Sequence, residues 1–168
     1  RAAIALDNDY ALAWSGIADA NSTGPVNGDA EPLFSRRLAR ETVNEAVRAD
    51  AGLAEVQTSQ GLLNVWLEWN WPLAEQQFRQ AIVLNPGYAL AHVALSNVLS
   101  LSGRHGDATE ESTRARQLDP LDPVVHAISS QLAFQRRDYS SASAHARQAI
   151  QIDSELWIGH GQLGQTLA

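Results

Sequence analysis

The chain has 168 residues, a formal charge of −7, 45% hydrophobic and 18% charged residues, and no cysteine. Such a length is one domain's worth with enough apolar content for a core, which excludes a disordered chain; the acid excess argues against a nucleic-acid partner. No apolar run approaches the roughly 18 residues of a membrane span. All twelve basic residues are arginine, so Schiff-base chemistry and a lysine-bearing phosphate loop are excluded along with thiol chemistry.

In chain order, residues 1–6 read as the end of a helix, and 9–20 as the next one. A polar, Gly/Pro-rich stretch at 21–30 reads as a loop. Helices then follow at 31–49, 53–68, 71–84, 88–101, 105–117, 122–135, 139–152 and 155–168. Ala74, Phe78 and Ala81 share one helical face, as do Ala39, Val43 and Ala46, and Ala142, Ala146 and Ala149. Proline after Asn85 and Asp119 ends a helix, while Asn70 and Asp122 are placed to cap the helices opened by Trp71-Pro72 and Pro123. No segment alternates with period two, so the fold class is all-α.

The chain repeats itself at an offset of 34: Ala74, Ala108 and Ala142; Ala81, Ala115 and Ala149; Leu84, Leu118 and Ile152; His92, His126 and His160. Upstream the step is 35, pairing Ala46 with Ala81 and Gly61 with Ser96, and before that 43, pairing Ala3 with Ala46. The units run approximately 9–50 (with the loop insert at 21–30), 53–85, 88–119 and 122–153, followed by an unpaired final helix at 155–168, within a single domain. The start at Arg1, with no leader pattern, reads as a piece of a longer protein; its destination is not legible from this end, and a cytoplasmic setting is the expectation.

These residues resemble the tetratricopeptide repeat. Trp14 with Ile17-Ala18 and Leu163-Gly164 stand at the first-helix positions of that family. Ala74, Phe78, Ala81 and Asn85-Pro86 stand at the second-helix and closing positions. Departures are Gln57 and Gln60 at apolar positions, Ser129-Ser130 for Leu-Gly, and Ser154 for proline. The insert, the turn Trp66-Leu67-Glu68-Trp69-Asn70-Trp71 and Asp119-Pro120-Leu121 also resemble the repeat tail of bacterial adenylate cyclases and winged-helix transcriptional regulators.

The resemblance implies an α-α superhelix, a right-handed solenoid of antiparallel helix pairs, with first helices lining a concave groove. It implies a protein or peptide partner in that groove, or a regulatory role for an attached cyclase or transcription factor. Implied partner-facing residues are Thr58, Leu62 and Trp66, with Glu55 beside them, then Leu90, Val93, Asn97 and Leu101, and Val124, Ala127, Gln131, Phe134 and Gln135. The basic cluster by which such grooves clamp a C-terminal carboxylate is missing, so an acidic heat-shock tail is not an expected ligand.

Histidines one repeat apart stand about 10 Å from each other, too far to share a metal, so packing is expected; His105 and His145 read as surface residues. Arg36-Arg37 with Arg40, and Arg136-Arg137, read as solvated faces. Trp66, Trp69 and Trp71 read as filling a turn with one extra residue, Trp66 being the one expected to meet a ligand. There is no catalytic constellation and no cofactor motif, so an enzyme is not expected. Trp157, Ile158, Leu163 and Leu167 on the final helix would expose apolar surface and favour self-association.

Overall fold

The structure is a computed structural model that describes residues 2–28 and 30–167. Among these residues it holds ten helices and no strand: α1 (Ala2–Leu6), α2 (Ala11–Asn27), α3 (Pro32–Asp50), α4 (Ala54–Trp66), α5 (Trp71–Leu84), α6 (Ala89–Leu101), α7 (His105–Leu118), α8 (Pro123–Gln135), α9 (Tyr139–Ile152) and α10 (Trp157–Leu167). They fall into two compact units, and the chain passes from one to the other after Pro86. In the first unit α2 packs on α3 and α4 on α5, and the two hairpins join through α2 and α4. In the second, α6 packs on α7 and α8 on α9, α6 lies against α8, and α10 covers both α8 and α9.

Small residues let these helices approach. Ala39 and Ala46 on α3, Ala74 and Ala81 on α5, Ala108 and Ala115 on α7, and Ala142, Ala146 and Ala149 on α9 are all buried. Serine and threonine serve the same purpose: Ser15, Ser59, Ser129 and Thr58 are buried, and each hydroxyl donates to the carbonyl four residues upstream. A hydroxyl satisfied within its own helix costs little to bury. Ser130 instead donates across the hairpin to the Ala142 carbonyl at 2.7 Å.

Helix starts follow their caps. Asn70 Oδ1 accepts from the Leu73 N–H at 3.2 Å and Asp122 Oδ1 from Val124 at 2.7 Å, the two caps read from the sequence. Glu31 and Asp138 cap α3 and α9 in the same manner. Helix ends repeat as well. Trp69, Gly103 and Arg137, at successive steps of 34, all adopt the left-handed conformation, with φ of 55°, 78° and 62°. After Gly103 and Arg137 the next N–H reaches back five residues, to the Leu99 and Ala133 carbonyls, a Schellman closure. After Trp69 it reaches back six, from Asn70 to Asn64, so the extra residue of the 35-residue step lies in this turn.

The stretch at 21–30 departs from the expected loop: α2 continues through it to Asn27. Ala11, Ser15, Ala18 and Ser22 form a buried stripe at helical spacing, and Thr23 donates to the Asp19 carbonyl. Pro25 falls in the last turn, where its missing N–H costs one bond. Gly28, at φ 78°, then closes the helix by donating to the Gly24 and Pro25 carbonyls.

Candidate functional site

The residues that the repeat resemblance assigns to a partner lie on the first helix of each hairpin, and each unit presents its own set. In the second unit, α6 is buried on almost every side. Val93, 3% exposed, packs with Ala115 and Val125 in a core cluster, which takes it out of the partner-facing set. Ala127 on α8 is wholly buried and leaves the set for the same reason. The remaining members are more accessible: Leu90, Leu101, Val124, Gln131 and Phe134 are half-buried and Gln135 is exposed. Gln135 also accepts from the Ser100 hydroxyl, tying α8 to α6, and Phe134 packs edge-on against Tyr139 at 5.5 Å.

Asn97 is chemically distinct. It is buried, yet its side-chain carbonyl Oδ1 has no hydrogen-bond partner. An acceptor left in this state costs on the order of 1–3 kcal/mol until a donor reaches it. Gln131 holds the same repeat position on α8, and exposed Gln165 the same position on α10. The amide at Gln165 was missed in the sequence reading, although the offset of 34 points to it.

In the first unit, Thr58 is fully buried with its hydroxyl bonded to the Ala54 carbonyl at 2.9 Å, so it presents no surface. Leu62 is at the edge of burial and Glu55 is half-buried. Trp66 is half-buried against Ala18, Ala39, Val43, Leu63 and Leu67. The exposed indole of this turn is Trp69, not Trp66; its left-handed backbone turns the ring outward, 6.4 Å from that of Trp71. Nearby on α2, burial pushes the Asp19 carboxyl up to about 6, partly offset by the Ser59 hydroxyl. Asp19 Oδ1 and the Ser22 hydroxyl are both buried without partners.

Two of the three histidines one repeat apart tie the turn between hairpins, and His92 places Nδ1 2.7 Å from Glu111 Oε2. His126 and His160 place Nε2 at 2.9 Å from the Pro120 and Ser154 carbonyls, each six residues upstream. A carbonyl only accepts, so the Nε2–H tautomer is fixed. Trp14 and Gln57 donate in the same way to Asn8 and Ala51, at 2.8 and 2.9 Å. An N–H donor of any shape serves at this position. His145 is half-buried beside His126 rather than on the surface, and His105 Nδ1 is 3.2 Å from the Ser100 hydroxyl.

The two arginine groups are likewise structural. Arg36 and Arg40 on α3 both clamp Glu68, with bonds of 2.5–3.0 Å, and hold its carboxyl down to about 2. Arg37 lies over the Phe34 ring. Arg136 and Arg137 sit in the turn after α8, not on a solvated helix face.

No known protein family profile matches the chain, and no curated protein matches it. Solved structures do. A thermophilic TPR protein from Thermus thermophilus matches with TM-score 0.70 and 17% identity, over 80% of this chain and 74% of that one. YrrB, described as a TPR protein with an unusual peptide-binding site, matches with TM-score 0.61 and 19% identity, over 95% of this chain and 77% of its own. The APC/C hetero-tetramer Cut9–Hcn1 matches with TM-score 0.69 and 14% identity, over 98% of this chain and 38% of that one. The chain therefore has the tetratricopeptide-repeat fold, an all-α array of helix pairs.

Proposed function

We propose that this chain is a protein-interaction scaffold that holds a peptide or partner domain in a concave groove of first helices. The observation that carries this reading is the recurrence of an accessible amide one repeat apart, half-buried Gln131 on α8 beside Val124 and Phe134 and exposed Gln165 on α10. Such amides offer a donor and an acceptor to an extended peptide backbone, whereas Asn97, at the same position of α6, is buried out of its reach. YrrB's description as peptide-binding adds support by analogy of fold. No chemical step is assigned to the chain. Among the described residues no helix is long and apolar enough to cross a membrane; a cytoplasmic setting and a partner other than nucleic acid belong to the proposal. Nothing in the chain favours the cyclase- or regulator-tail alternative over it.

The test is selection of peptides from a displayed library on the full chain, followed by Gln131→Ala and Gln165→Ala. Affinity should fall several-fold in each. Unchanged affinity in both overturns the assignment of the face.

Self-association through α10 is a second element of the proposal. Trp157 and Leu167 are 52% and 68% exposed there, while buried Gly159 seats the helix on Ile150. Sedimentation should show mass rising with concentration, and Trp157→Ser should suppress the rise; a concentration-independent monomer contradicts it.

A further inference from the structure

A cavity of about 240 Å³ opens in the second unit between α7, α8 and α9, lined by none of the residues assigned to the partner face. Arg116, in the last turn of α7, reaches into it half-buried. Its Nη1 donates to Ser112 Oγ at 2.9 Å and Ser129 Oγ at 2.7 Å, and its Nη2 to Thr113 Oγ1 at 2.8 Å. All three acceptors are hydroxyls, and no carboxylate bonds this guanidinium among the described residues. Burial accordingly holds its pKa below the usual arginine value. Arg136 lines the same cavity from the end of α8, with a single bond to Thr109 Oγ1 at 2.7 Å.

Each guanidinium has five N–H donors, so most of Arg136's and some of Arg116's remain uncommitted. The hydroxyls are not free to serve as the counter-charge. Ser129 and Thr109 pass their own protons to the Val125 and His105 carbonyls. The one carboxylate in the lining, Asp138, accepts from the Ser141 N–H at the start of α9 and hydrogen-bonds neither arginine, although it attracts the Arg136 charge. His145 forms part of the wall, held below the usual histidine value by burial first, then by Arg116 and His126, with Asp138 opposing.

Hydroxyls solvate a buried cation without neutralising it, and a partly buried charge lacking a counter-ion is costly. A carboxylate is satisfied by one arginine fork. Two guanidiniums, with an imidazole able to take up a proton beside them, match a doubly charged tetrahedral oxyanion. We propose that the Arg116–Arg136 cavity binds a dianion of the phosphate class: inorganic phosphate, sulfate or a phosphomonoester group.

The test is an amide and imidazole NMR titration of the full chain with phosphate, sulfate, acetate and N-acetyl phosphoserine amide at constant ionic strength. Phosphate and sulfate should give saturable shifts at Ser112, Ser129 and His145, sulfate should raise the His145 titration midpoint, and acetate should bind much more weakly. Arg116→Gln should weaken binding about tenfold or more, the scale of a hydrogen bond to a charged group. Arg136→Gln, at a turn with one side-chain bond, keeps the test valid if the first variant unfolds and should also weaken binding. Arg147→Gln, an exposed arginine on α9 outside the cavity, should change nothing. Tighter binding of the phosphoserine derivative than of phosphate assigns the anion to a modified peptide, and equal binding assigns a free anion. Absence of saturable shifts, or shifts indifferent to both arginine substitutions, overturns the site.

Discussion

Gly61 lies directly under the ring of Phe78: a Cβ on the glycine would stand 2.3 Å from Phe78 Cε1. The ring is fully buried, so it has no room to withdraw, and the α4–α5 hairpin closes only because residue 61 lacks a side chain. At the same repeat positions the next hairpins carry Ser96 with Ser112 and Ser130 with Ala146, all buried. One large residue opposite none, or two small ones, fills the same gap. Gly61→Ala should therefore destabilise by about 1–3 kcal/mol, the scale of overpacking, in urea unfolding. In a Phe78→Leu background the same substitution should cost distinctly less; an equal cost in both backgrounds would refute this packing.

Glu68 is 16% exposed and gripped by two arginines. A carboxyl whose folded pKa is lowered contributes stability above its unfolded value, and that contribution disappears as pH falls through the folded one. The window is thus from about 4.5 down to about 2. Glu68→Gln should lose about 1–3 kcal/mol at pH 7, discounted for the half-exposed arginines, and should flatten the acid limb of stability in that window. An unchanged acid limb would contradict the clamp.

Asp19 behaves with the opposite sign. Its folded pKa of about 6 lies above the usual 3.8, so the fold prefers the neutral form, and stability is lost as pH rises from 3.8 through 6. Asp19→Asn should stabilise by roughly 1–3 kcal/mol at pH 8, on about 1.4 kcal/mol per unit of pKa, and by much less at pH 4. Thermal melts at the two pH values check this; equal effects at both would refute it.

Arg137 occupies the left-handed position that Gly103 fills one repeat earlier. A non-glycine residue pays about 1–2 kcal/mol there, partly offset by the entropy glycine adds to the unfolded chain. Arg137→Gly should therefore raise stability by a few tenths to about 1 kcal/mol. Gly103→Ala should lower it by a similar amount; a stabilised Gly103→Ala variant would contradict the shared turn geometry.

The repeat step and the caps at Asn70 and Asp122 were legible because they depend on local chemistry within one helix turn or on a spacing that recurs. The continuation of α2 was not, because Ser15 and Ser22 count as polar in any hydropathy pattern yet are buried with Ala11 and Ala18 as small residues. The Glu68 clamp escaped because its partners are 28 and 32 residues away; Arg36, Arg37 and Arg40 read locally as a solvated stripe. Trp69 rather than Trp66 is exposed because one inserted residue rotates the turn, a shift that composition does not register. Val93 and Thr58 were placed on an open face by repeat position alone, whereas their burial depends on what the neighbouring helices leave uncovered.

The absence of a basic cluster on the first helices carries a prediction about ligands. An acidic peptide ending in a free carboxylate should show no micromolar binding by fluorescence anisotropy, and the amidated peptide should behave identically. Micromolar binding of the free acid alone would contradict the reading of Gln131 and Gln165 as contacts for a peptide backbone.

The most direct test of the scaffold reading is hydrogen exchange on the full chain with and without a selected peptide. Protection should increase along α6 and α8, centred on Gln131, and should leave α7 and α9 unchanged. Protection confined to α7 and α9, with α6 and α8 unaffected, would contradict it.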